Sequence, residues 1–204
     1  MIAIVNYGLG NVNAFANVYK NLNIDVKICN NSNDLEGAEK IILPGVGSFD
    51  HAMELLINSG MREMLDELVL QQSVPALGIC VGMQMLAKSS EEGVFPGLGW
   101  IDGEVKKVTN PTHQSLIYLP QMGWNNIVPV TKNKLLNELS SGSYFYFLHS
   151  YCFHCSNSDN VLATTDYGEV FACMVNAKNV YGVQFHPEKS HSNGVQLLKN
   201  FAEL

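Results

Sequence analysis

Two glycines flank a cysteine at the end of an apolar run, in Gly78-Ile79-Cys80-Val81-Gly82. The run Val74–Ile79 reads as a buried strand, and the residues from Val81 to Lys88 read as a helix. A strand that passes into a helix with no loop between must turn within one or two residues. Glycine permits that turn and leaves room around a strained residue, so the side chain between them stands at the apex. This is the layout of a nucleophile elbow, with the N-terminal end of a helix behind the sulfur, a setting that favours thiolates. Cysteine is also among the most buried residue types, so the segment alone reads more readily as a small core residue than as a nucleophile.

The elbow sits within a longer alternation. Ile2–Tyr7, Ile24–Cys29 and Lys40–Leu43 read as strands, and Val12–Leu22 as a helix. Phe49, Ala52, Met53, Leu56 and Ile57 recur at helical spacing, as do Met61, Met64, Leu65, Leu68 and Val69. Strands alternating with helices predict an α/β fold, a mainly parallel open sheet flanked by helices. The pattern changes after Gly93. Trp100–Val108, Leu116–Leu119, Asn125–Val130, Tyr144–Tyr151, Val161–Tyr167, Val170–Val175 and Val180–Phe185 read as strands. A short helical piece lies near Leu135–Leu139, and a last helix runs from Asn193 to Ala202. An added antiparallel portion is therefore expected. No repeat or linker interrupts the sequence, which predicts a single domain over 1–204.

Composition excludes several roles. Net charge is −7 without a basic run, a poor match to nucleic acid or to an anionic membrane. No apolar stretch approaches a membrane span, and no signal peptide is visible. Five cysteines at irregular spacing argue against a disulfide framework and for a reducing cytoplasm. Cys152-Phe153-His154-Cys155 has no second half at zinc spacing, and strand alternation sends its two cysteines to opposite faces. They read as packing residues, and no metal or cofactor is expected.

Far from the elbow lies Gln184-Phe185-His186-Pro187-Glu188. In an extended segment, His186 and Glu188 point to the same side, and Pro187 favours that conformation. Glu188 can then hold one imidazole nitrogen while the other faces Cys80, an arrangement suited to acyl transfer. Pro44-Gly45-Val46-Gly47 follows the third strand and can bring backbone N–H groups close to a ligand. That loop and the Val81 N–H are candidate oxyanion donors, although taken alone the loop reads as a plain strand-to-helix turn.

With these segments in place, the chain resembles the triad-type (class I) glutamine amidotransferases, and within them the glutaminase subunits of imidazole glycerol phosphate synthases. The resemblance covers nearly the whole chain. It rests on Asn6–Asn11, Leu43–Phe49, Leu77–Gln84, Gly97–Trp100, Met122–Asn125, Tyr146–Tyr151 and Gly182–Ser190. It implies that Cys80 attacks the carboxamide of glutamine, that His186 is the acid and base, that Glu188 orients His186, and that Gly47 and Val81 supply the oxyanion N–H groups. Gln84, Glu92, Ser150 and Tyr151 match positions that hold the substrate; Glu91-Glu92 could equally be a solvated turn. Met122, Trp124, Asn125, Tyr146 and Lys189 match positions facing a HisF-like (β/α)8-barrel synthase subunit in a heterodimer. Ammonia channelled to that barrel would yield imidazole glycerol phosphate and AICAR in histidine biosynthesis.

Asn6 and Gln121 depart from the family's usual Asp and His. His191 and Ser48–Met53 resemble paralogues associated with surface-polysaccharide genes, which implies an alternative sugar acceptor. Two readings remain besides. One is a non-catalytic regulatory subunit, which conflicts with a complete set of Cys80, His186 and Glu188. The other is a stand-alone cysteine hydrolase.

Overall fold

The structure, a computed structural model of the chain, describes residues 1–110 and 117–204. Its first half follows the predicted alternation: β1 (Ile2–Val5), α1 (Val12–Asn21), β2 (Val26–Cys29), β3 (Lys40–Gly45), α2 (Phe49–Asn58), α3 (Arg62–Asp66), β4 (Ala76–Cys80) and α4 (Val81–Gln84). β1 lies between β2 and β3, and β3 pairs with β4, all in parallel. Every residue of β1 and β4 is buried. That burial explains why these strands read as unbroken apolar runs rather than as alternating ones. Asn11 begins α1 by accepting the Ala14 N–H on its side chain at 3.2 Å. The buried face of α1 carries Phe15, Ala16 and Tyr19.

The second half adds β5 (Ser89–Ser90), β6 (Gly103–Lys107), β7 (Gln121–Asn126), β8 (Val128–Pro129), β9 (Tyr144–His149), β10 (Tyr151–Cys155), β11 (Val161–Asp166), β12 (Val170–Ala177), β13 (Val180–Val183) and α5 (His191–Ala202). The main sheet runs β2-β1-β3-β4-β13-β12-β10-β6-β5, with β11 and β8 beside β12. β13 is parallel to β4, whereas β12, β10 and β6 continue the sheet as antiparallel neighbours. β7 and β9 form a separate antiparallel pair. The fold is thus the expected parallel sheet flanked by helices, with an antiparallel extension.

Several boundaries differ from the sequence reading. The strand read over Tyr144–Tyr151 breaks at Ser150, where the chain leaves β9 for β10 and so changes sheet. The strand read over Asn125–Val130 is likewise divided between β7 and β8. The strand read over Trp100–Val108 starts at Gly103, because Trp100 turns its Nε1 to Asp66 at 2.6 Å and Ile101 donates to the Leu86 carbonyl. Of Leu116–Leu119, Leu116 lies outside the described residues, and Ile117–Leu119 is irregular. The helix read over Val81–Lys88 stops at Gln84.

The order of the central strands places the chemistry. In register, Gly45 of β3 lies opposite Cys80 of β4, and Val183 of β13 lies opposite Ile79. The glycine loop and the His186 segment therefore emerge on either side of Cys80. All three leave the carboxyl ends of adjacent parallel strands, where open α/β sheets place their sites.

Candidate active site

Cys80 has φ +55° and ψ −114°. A non-glycine residue in that region costs on the order of 1–3 kcal/mol, strain that the surrounding structure must hold in place. The packing shows what holds it. A methyl group on Gly82 would lie 2.0 Å from the Leu43 carbonyl, and one on Gly45 would lie 2.3 Å from the Gly82 nitrogen. The end of β3 thus presses directly on the elbow, backbone against backbone. Tyr7 braces the same strand end by donating its hydroxyl to the Pro44 carbonyl at 2.7 Å.

His186 leaves β13 through Gln184 and Phe185. Its backbone N–H donates to the Tyr146 carbonyl of β9 at 2.9 Å. Ser190 clamps the turn that follows: its hydroxyl donates to the His186 carbonyl at 2.6 Å and accepts the Tyr146 N–H at 3.0 Å. Glu188 Oε1 lies 2.9 Å from His186 Nδ1, with both side chains 4 % exposed. The imidazole also hydrogen-bonds with Cys80. Burial opposes its charge most strongly. The hydrogen bonds to Cys80 and Glu188, with their negative charges, together outweigh burial and push His186 up to about 10. The imidazole therefore holds its proton at neutral pH, beside the sulfur and backed by a carboxylate.

These residues open on a cleft of about 290 Å³ lined by Gly47, Cys80, Gln84, Glu92, Ser150 and Tyr151, among others. That size suits a ligand no larger than an amino acid. Gly47 has φ +88°. Val81 is the first residue of α4, so its N–H has no partner within the helix. Gly47 and Val81, the two expected oxyanion donors, both line the cleft with Cys80. Glu92 is anchored rather than solvated: its Oε2 accepts the Phe49 N–H at 2.8 Å. Ser48 makes no side-chain cap, so Glu92 caps α2 from across the cleft. Asp50 pins the same loop by accepting the N–H groups of Val94 and Phe95 at 2.9–3.0 Å.

Met122 and Trp124 are 65 % and 47 % exposed on β7. Trp124 stacks on His191 at 5.1 Å and meets Tyr146 edge-on at 6.0 Å, while the Lys189 ammonium lies 5.6 Å above the Tyr146 ring. These side chains form one exposed apolar and aromatic group beside the base. Asn125 points elsewhere: its Nδ2 donates to the Asp166 carbonyl at 2.9 Å. Strand alternation on β7 sends it to the face opposite Trp124.

Cys152 and Cys155 lie on β10, the first buried and the second half-buried. Burial pushes Cys152 up to about 12, as it does Cys155.

Sequence reasoning passed over Gln184, His149, Tyr7 and Asp50. Gln184 carried a signal, an amide within the apolar run Val183-Gln184-Phe185, since a fully buried amide requires partners. His149 is 6 % exposed. Its Nδ1 lies 2.9 Å from the Tyr151 carbonyl and its Nε2 3.0 Å from the atom placed as Gln121 Oε1. A carbonyl only accepts, so Nδ1 carries the proton. Nε2 then accepts, which requires Gln121 to turn its NH2 toward the ring.

Burial pushes His149 down to about 4, against an upward effect of its bond to Tyr151 and with a lesser downward one from the nearby His186. In the unfolded chain a histidine titrates near 6.5. Above about pH 6.5 both states are neutral, and this group's contribution to stability is complete. As pH falls toward 4 the unfolded state takes up a proton that the folded state refuses. Folding thereby loses up to about 3 kcal/mol. Urea unfolding at pH 7 and pH 4.5 is expected to reveal this loss in the wild type and a smaller one in His149→Gln. Equal losses in the two proteins would contradict it.

Comparison with known proteins places this geometry. The profile of the family "Glutamine amidotransferase class-I" matches residues 3–204. A protein of Bdellovibrio bacteriovorus called "Imidazole glycerol phosphate synthase subunit HisH" is 57 % identical over 204 residues, covering 100 % of both chains. One of Leptospira interrogans with the same name is 52 % identical over the same span. Among solved structures, a glutamine amidotransferase superposes with a TM-score of 0.74 at 20 % identity, covering 100 % of this chain and 99 % of the other. A glutamine amidotransferase from Thermotoga maritima gives 0.65 at 17 % identity, covering 99 % and 82 %. At that identity the structural likeness speaks to fold alone. With Cys80 at the strained turn and His186 beside it, the chain belongs to the class-I glutamine amidotransferases, and within them to the HisH subunits of imidazole glycerol phosphate synthase.

Proposed function

We propose that this chain is a glutaminase subunit that hydrolyses glutamine to glutamate and ammonia. The observation that carries the reading is the strained Cys80 held against the His186–Glu188 pair at the floor of a small cleft. The Cys80 sulfur attacks the side-chain carboxamide carbon. The developing oxyanion takes N–H groups from Gly47 and Val81. The His186 imidazolium gives its proton to the departing nitrogen, so ammonia leaves and a γ-glutamyl thioester remains. Neutral His186 then takes a proton from water, whose oxygen attacks the thioester carbon. The sulfur departs, and glutamate is released. Glu188 keeps Nδ1 protonated and the ring aimed throughout. Gln84, Glu92, Ser150 and Tyr151 hold the substrate.

The acceptor of the ammonia lies on another subunit. The naming of full-length relatives supports a heterodimer with a HisF-like (β/α)8 barrel in histidine biosynthesis. There the ammonia would serve to form imidazole glycerol phosphate and AICAR. The exposed group of Met122, Trp124, Tyr146 and Lys189 is the docking face we assign to that barrel. We take the chain to act as one domain over 1–204, in the cytoplasm.

The test is glutamate release by the chain co-expressed with its barrel partner, with and without the imidazole-precursor ribonucleotide. The expected result is low turnover alone and clear stimulation by partner and nucleotide together. Partner-dependent turnover that ignores the nucleotide would move the acceptor to a surface-sugar pathway. Full turnover by the chain alone would make it a stand-alone hydrolase.

A further inference from the structure

Gln184 is fully buried and reaches none of the cleft, yet its amide stands between two residues that line it. The orientation of that amide follows from a fixed point. Gln84 Nε2 donates to the Tyr151 carbonyl at 3.0 Å. A backbone carbonyl can only accept, so the NH2 end of Gln84 is settled. Its second N–H meets Gln184 Oε1 at 3.1 Å. The opposite end of the Gln184 amide, Nε2, therefore faces Cys80 Sγ, at 3.8 Å. Both N–H groups of Gln84 are consumed inside the protein. Its oxygen is left as the acceptor end at the cleft, suited to an N–H donor on the substrate.

We propose that Gln184 is a positioning residue that sets two things with one amide. It fixes which end of Gln84 is offered to the substrate, and it directs an N–H at the nucleophilic sulfur. Resting on the glutaminase reading given above, this couples substrate holding to the nucleophile without Gln184 touching either the substrate or the reacting carbon. Turning the Gln184 amide over would set its NH2 against the NH2 of Gln84 and its oxygen against the sulfur. Gln184 is fully buried, where an unpaired polar contact is costly, so one orientation is imposed. A hydrogen bond to sulfur at this distance is weak by itself. It gains effect because it favours the negative sulfur over the neutral thiol.

Two substitutions separate the two functions. Gln184→Glu keeps the size and the acceptor for Gln84, but removes the N–H and adds a negative charge beside the sulfur. Gln184→Met keeps the approximate volume and removes both bonds. The readouts are Cys80 alkylation by iodoacetamide against pH, followed by peptide mass spectrometry with Cys80→Ala as the blank, and kcat and KM for glutamine in the complex with the barrel partner.

Gln184→Glu is expected to slow alkylation at pH 7 about tenfold or more and to move the midpoint of the profile upward. Its kcat should fall by a similar factor, with KM within about threefold. Gln184→Met should also slow alkylation, and should raise KM about tenfold because Gln84 has lost its partner. Alkylation profiles and kinetic constants within about twofold of wild type in both variants would overturn the proposal. So would variants that lose thermal stability, or fail to fold, without any folded form showing a shifted profile, since Gln184 would then be a packing residue only. The alkylation arm needs no glutamine, so it decides the role of Gln184 even if the wild-type complex proves to have no glutaminase activity.

Discussion

Cys80→Ala is expected to lower glutamate release by the complex by at least about 10⁴-fold, while leaving the fold and partner binding in place. The size of the effect follows from the mechanism. Without the sulfur the proposed mechanism gives no thioester, and the N–H groups assigned to the oxyanion, of Gly47 and Val81, have no attack to assist. Neither His186 nor Glu188 can substitute, because both are buried and committed to one another at 2.9 Å. The small structural cost has its own reason. Alanine removes one sulfur atom from a residue lining a cleft, so the surrounding core keeps its contacts. The measurements are glutamate release, circular dichroism and co-purification with the synthase partner subunit. Retained activity would remove Cys80 from the mechanism, and lost co-purification would show that the elbow also supports the docking face.

Gly82→Ala is expected to cost about 3 kcal/mol of stability, a Tm lower by roughly 10 °C, and kcat lower by about 100-fold or more. The added methyl has nowhere to go: its nearest neighbour, the Leu43 carbonyl oxygen at 2.0 Å, is main chain in a buried strand. Relief requires β3 and the elbow to part. That separation displaces Gly45, which sits opposite Cys80, and carries the oxyanion loop with it. Gly60→Ala is the comparison. Gly60 has a positive φ, of +70°, which Gly82 does not, but a methyl there meets nothing within 4 Å. Its cost should stay near 1 kcal/mol, with activity unchanged. Thermal melts and turnover of the two variants side by side test the claim. Equal behaviour would show that the close approach at the elbow carries no weight.

The parallel half of the fold was legible because each strand is buried on both faces and each helix on one. Burial on both faces writes β1, β3 and β4 as continuous apolar runs, and α1 and α2 carry their buried residues at helical spacing. The misreadings share one cause, competition from distant partners. The apolar residues after Gln84 continue at helical spacing, but the carbonyls of Met85, Leu86, Ala87 and Lys88 accept from Leu98, Ile101, Gly99 and Gly97. A continuing helix needs those carbonyls, and nothing local shows that they are taken. The break at Ser150 was hidden similarly, because a change of sheet leaves the period of two intact.

The site divides in the same way. Cys80, His186 and Glu188 could be picked out, although His186 and Glu188 meet across a 3-10 turn over Pro187–Lys189 and not in the extended segment expected from Pro187. The link from Gln84 through Gln184 to Cys80 could not, because it joins β13 to the residues after β4 across the sheet. Glu92 was ambiguous for a related reason. Whether a carboxylate in a turn is solvated depends on what faces it, here the uncapped start of α2.

The elbow and the base come together through adjacency of two parallel strands, β4 and β13, and Tyr146, from the stretch of chain between them, holds the turn that follows the base. That stretch builds the antiparallel extension and the β7–β9 pair, with its exposed aromatic face. Nucleophile and base are thus set by the central sheet, and the exposed face we assign to the acceptor subunit is set elsewhere in the chain. A lineage can redraw the second for a new client while the first keeps its spacing. Changes of acceptor in such chains should accordingly be written in the face around Trp124, and the chemistry at Cys80 should carry no record of them.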